Sequence, residues 1–116
     1  MEENPTLDEL AKDIHEMAMA KGFWQPMTRM NNEDSFVFYC KQLAMIHSEA
    51  TEVLEALRKN KGGDVVTEEL ADIIIRVLDL YQGLLANGEA TGSLHDSLII
   101  KMETNALRPE LHGVRG

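Results

Sequence analysis

The chain has 116 residues, a formal net charge of -9, and 44% hydrophobic against 27% charged residues. Such a length suits one domain with its own core, residues 1–116, and no apolar run reaches the roughly 18 residues of a membrane span. The acidic balance argues against general binding to DNA or RNA, which depends on basic patches. Cys40 is the only cysteine, which excludes an intrachain disulfide and any cysteine cluster for zinc or iron-sulfur, and it is expected as core filler. The N-terminus is acidic, with no basic region followed by an apolar run, so a cytoplasmic location is expected.

Thr6-x-x-Glu9 is a capping box, and Leu7, Leu10, Ala11, Ile14, Met17 and Ala18 recur on a helical stripe that Gly22 ends. Gly22-Phe23-Trp24-Gln25-Pro26 reads as a loop. A second helix is expected from near Asn32–Ser35 to about Asn60, burying Phe36, Tyr39, Leu43, Ile46, Ala50, Val53, Leu54 and Leu57. Lys61-Gly62-Gly63-Asp64 breaks it. Thr67 is the expected cap of a third helix whose apolar run, Leu70 to Leu85, is wide enough to be covered on more than one side. Ser93-x-x-Asp96 opens a fourth helix that Pro109 stops. No segment alternates in the manner of a strand, so the expected fold is all-α, a four-helix bundle-like protomer that oligomerises through its helices.

Glu49-x-x-Glu52 lies on the second helix and Glu69-x-x-Asp72 on the third, each pair sharing a helix face. Like charges one turn apart weaken a helix by a few tenths of a kcal/mol, so two such pairs on amphipathic helices suggest a compensating cation. Magnesium suits four carboxylates best, with Mn2+ as a substitute, because no histidine stands within either pair. The alternative is a solvated acidic face. On the fourth helix Lys101, Asn105 and Arg108 form a stripe suited to phosphate, or to a plain surface ion-pair row.

Together, Ile46–Ala56, Glu68-Glu69-Leu70-Ala71-Asp72 and Lys101-Met102-x-x-Asn105-x-x-Arg108-Pro109-x-x-His112-Gly113 resemble a MazG-type member of the all-alpha nucleoside triphosphate pyrophosphohydrolases. The 16 residues between Glu52 and Glu69 suit that family's spacing. The resemblance implies Mg2+-dependent hydrolysis of a nucleoside triphosphate between its alpha and beta phosphates, in a homodimer or homotetramer. It makes Glu49, Glu52, Glu69 and Asp72 catalytic metal ligands and Lys101, Asn105 and Arg108 phosphate contacts. Trp24 resembles an aromatic position that lies against the base, the alternative being a loop anchor. His47 is expected as a packing or base-pocket residue, and His112 within reach of a phosphate. Ser48 stands where many relatives carry a further glutamate. Two other classes fit the same residues: a noncatalytic helical interaction module and a bundle that binds a divalent metal.

Overall fold

The computed structural model describes residues 4–24 and 32–108, and among these it contains four helices and no strand. They are α1 (Leu7–Ala20), α2 (Asn32–Arg58), α3 (Gly63–Ala86) and α4 (Leu94–Ala106). No helix is long and apolar enough to cross a membrane.

α1 starts on the capping box read from the sequence: the Glu9 amide donates to Thr6 Oγ1 at 3.1 Å and the Thr6 amide donates to Glu9 Oε1 at 2.8 Å. Its last turn closes with the Gly22 amide on the Met19 carbonyl and the Phe23 amide on that of Ala18, around Gly22 at φ +80°. α2 ends on the same pair of bonds around Asn60, which takes φ +56°. The expected cap at Thr67 is corrected. α3 begins a turn earlier, at Gly63, and the Thr67 hydroxyl donates inside the helix to the Gly63 carbonyl at 3.1 Å. Asp64 in the first turn complements the helix dipole, and Val65 and Val66 are half-buried, so this extra turn gains burial. α4 starts on Ser93 as expected, with the Asp96 amide donating to Ser93 Oγ at 3.0 Å.

α3 is the central element, with α1 and α2 packed against it. The expected bundle is not closed within one chain: α4 is fastened at its N-terminal end and has no buried residue. There Asp8 of α1 accepts hydrogen bonds from the Ser93 hydroxyl and, at 3.1 Å, from the His95 amide. Partial burial of the Asp8 carboxyl opposes its ionisation, but the bonds from Ser93, His95 and Leu94 and the nearby His95 ring outweigh this and lower its pKa. Tyr81 of α3 donates to the Gly92 carbonyl at 2.6 Å and accepts from the Leu94 amide at 3.2 Å.

The core gathers Ala18, Trp24, Tyr39 and Leu80, with Phe38, Ile46 and Leu84 packed around them. The expected buried side of α2 is corrected in part: Tyr39 is buried, whereas Phe36, Leu43, Ala50, Leu54 and Leu57 are exposed. Cys40 is exposed as well, not core filler. A single face of α2 meets α3, so only part of the apolar stripe finds cover.

Trp24 closes this core. Its Nε1 donates to both oxygens of Asp79 at 2.9 Å, and its ring meets His15 and Phe38 edge-on, at centroid distances of 4.8 and 5.0 Å. His15 Nδ1 stands 2.7 Å from Asp79 Oδ1, and since a carboxylate only accepts, the ring nitrogen is the donor. The indole lies so close to α3 that a Cβ on Gly83 would stand 2.1 Å from Trp24 Cη2. In an ordinary helix interior Gly→Ala gains roughly 1 kcal/mol. Gly83→Ala is instead expected to destabilise by about 1 to 3 kcal/mol, the range for overpacking a core, because the ring is held by Asp79 and cannot withdraw. Urea unfolding checks this, and a Gly83→Ala midpoint above the wild-type value would contradict it.

Candidate metal centre and adjoining cleft

Glu49 on α2 faces Glu69 and Asp72 on α3, and one carboxylate oxygen from each lies within 4.8 Å of the others. This follows from the packing of α2 on α3 together with the i, i+3 spacing of Glu69 and Asp72, which puts both on one face. Glu52, the fourth carboxylate expected from the sequence, is exposed and is not one of the three that converge. Its charge still reaches Glu69. The Glu69 carboxyl is pushed above its ordinary pKa by lost hydration and by the charges of Glu52, Asp72 and Glu49, with Lys61 opposing. An oxygen-only donor set of this kind suits a hard divalent cation.

Arg76 makes a direct contact with this cluster, and the sequence reading did not single it out. Its Nε donates to Glu49 Oε2 at 3.3 Å, bridging α3 to α2. Arg76 follows Asp72 by four residues, so extending the acidic face of α3 by one turn would have found it.

Beside the cluster opens a cleft of about 510 Å3. Ile14 and Met17 of α1, Phe23 after it and Ile75 of α3 supply apolar wall, Glu49 and Asp72 reach into it from the cluster, and Lys21 and Arg76 are its cations. A second cavity of about 300 Å3 shares Phe23, Arg76 and Asp79 with the first. No motif announces Asp79 or His15, because they meet across 64 residues of sequence.

The remaining expected site residues do not gather here within one chain. Lys101, Asn105 and Arg108 are exposed, and Arg108 falls beyond the last turn of α4. Among the described residues no hydrogen bond or ion pair joins them to the carboxylates. Trp24 is buried, with the geometry of a loop anchor rather than of an open stacking platform. His47 and Ser48 are exposed on α2, and His112 lies outside the described residues. Comparison with family models, with curated proteins and with solved structures yields no match.

The shift at Glu69 carries a pH dependence. A carboxyl whose pKa is raised by folding binds more protons folded than unfolded, so its contribution to stability falls as pH rises through that raised value. Glu69→Gln is expected to raise the thermal unfolding midpoint in chelator at neutral pH, with the gain shrinking in the acid range where the wild-type carboxyl is already protonated. Calorimetry at several pH values reads this; an equal gain at every pH would show that repulsion among these carboxylates is not its source.

Proposed function

We propose that the chain is a Mg2+-dependent nucleoside triphosphate pyrophosphohydrolase, cleaving between the alpha and beta phosphates to a nucleoside monophosphate and pyrophosphate. The observation that carries this reading is the convergence of Glu49, Glu69 and Asp72 from two helices at the rim of an apolar-walled cleft. Glu49, Glu69 and Asp72 would hold the cation, and Glu52, exposed one turn along α2, would join them only by turning its side chain. When bound, such an ion polarises a phosphoryl group and lowers the pKa of a water. The chain's own residues then divide the work. Ile14, Met17, Phe23 and Ile75 would exclude water from the flat part of the substrate, while the carboxylate cluster would meet its anionic part only through the cation it holds. The choice of the alpha-beta bond comes from the resemblance of the three motifs to the MazG-type enzymes, and with it the assignment to cleansing or supply of the nucleotide pool in the cytoplasm.

A homodimer or homotetramer belongs to the same proposal. Leu54 and Leu57 of α2, Leu70 and Ile74 of α3, and Ile99 and Ile100 of α4 are among the exposed apolar side chains that assembly would cover. Assembly would also give α4 a neighbour, and with it bring Lys101, Asn105 and Arg108 to a phosphate site.

The test is incubation with a panel of nucleoside triphosphates and Mg2+, the products resolved by chromatography. Monophosphate with pyrophosphate is expected; diphosphate with orthophosphate would overturn the bond assignment. No turnover of any substrate would favour an interaction module, or a metal-binding bundle if cations still bind. Glu49→Gln and Asp72→Asn are expected to lower kcat by about a hundredfold or more, since even residues that only support a ligand cost 10- to 100-fold. Their helical circular dichroism should stay at the wild-type level.

A further inference from the structure

Among the described residues the Arg76 guanidinium has one oxygen partner, Glu49, met by a single Nε bond of 3.3 Å. Nη1 reaches only the Met45 thioether at 3.9 Å, a weak acceptor. Most of a five-donor fork therefore has no oxygen acceptor among the described residues, although the side chain is only 32% exposed. The group also lines both cavities and stands one turn beyond Asp72 on α3. A long, one-pronged contact to a carboxylate is readily exchanged, whereas a phosphate can take two prongs of the fork at once.

We propose that Arg76 is a phosphate contact of the cleft, an inference that rests on the metal-centre reading above. With the carboxylates bare, Arg76 holds Glu49 and offsets part of the acidic charge. With a cation in the cluster, Glu49 turns to it and the guanidinium passes to a phosphate oxygen beside it. Lys21, the other cation lining the cleft, adds a second positive charge for the same polyanion. This gives the single chain a phosphate-binding pair of its own, apart from the exposed cations of α4.

The exchange separates two affinities that a merely structural arginine would move together. Titration calorimetry measures Mn2+ binding alone, then pyrophosphate binding at saturating Mg2+, for the wild type, Arg76→Gln and Arg76→Lys. Arg76→Gln is expected to weaken pyrophosphate binding about ten- to a hundredfold, the range for a bond to a charged group. Its Mn2+ binding should stay as tight as wild type or become tighter, because a competitor for Glu49 is gone. Arg76→Lys should recover part of the pyrophosphate affinity. Unchanged pyrophosphate binding in Arg76→Gln would overturn the proposal. So would a parallel fall in Mn2+ affinity, which would make Arg76 a positioning residue for Glu49. The metal-centre reading fails by a different result: wild-type protein that takes no Mn2+, or Mn2+ binding that survives both Glu69→Gln and Asp72→Asn. The exchange falls with it in that case.

Discussion

The buried carboxylate of Asp79 organises much of this molecule. A carboxylate taken out of water is costly unless its oxygens are bonded, and here the Trp24 indole and the His15 ring supply those bonds. One side chain of α3 thereby fixes both α1 and the residues that follow it. The Trp24 ring then fills the space over Gly83, where a larger residue would hold the loop away. Phe23 and Lys21 are carried to the rim of the cleft as a consequence, so an interaction in the core sets the shape of the candidate site.

A second constraint is electrostatic. One carboxylate oxygen each of Glu49, Glu69 and Asp72 lies within 4.8 Å of the others, and lost hydration together with the charges of Glu52, Asp72 and Glu49 raises the pKa of Glu69. The packing of α2 on α3 brings the acids together, and the bond from Arg76 to Glu49 relieves only part of the charge. Ala56 of α2 and Leu78 and Leu80 of α3 are buried.

α4 shows the opposite condition. Its N-terminus is well fastened, through Ser93 and His95 to Asp8 and through Leu94 to Tyr81, yet none of its residues is buried. Leu98, Ile99, Ile100 and Met102 give it more apolar surface than a solvated helix needs. The same lack of cover falls on Leu54, Leu57 and Ile74.

The sequence by itself determined the local events. The capping box at Thr6, the stop at Gly22, the start at Ser93 and the pairing of acids on α2 and α3 each depend on residues within a turn of one another, where hydrogen-bond geometry and helical spacing decide the outcome. Thr67 was misread because a hydroxyl that can cap a helix can also bond back to a carbonyl inside one, and half-burial of Val65 and Val66 favoured the longer helix. Periodicity marked an apolar stripe on α2 but could not say which part of it α3 would cover, so Tyr39 was placed correctly and Leu54 was not. Only the tertiary structure decided that Glu49 meets Glu69 and Asp72 while Glu52 stands apart, that Arg76 joins them, and that His15 and Trp24 share Asp79. Those meetings span tens of residues and are set by how helices pack, which depends on the summed fit of many side chains rather than on any motif.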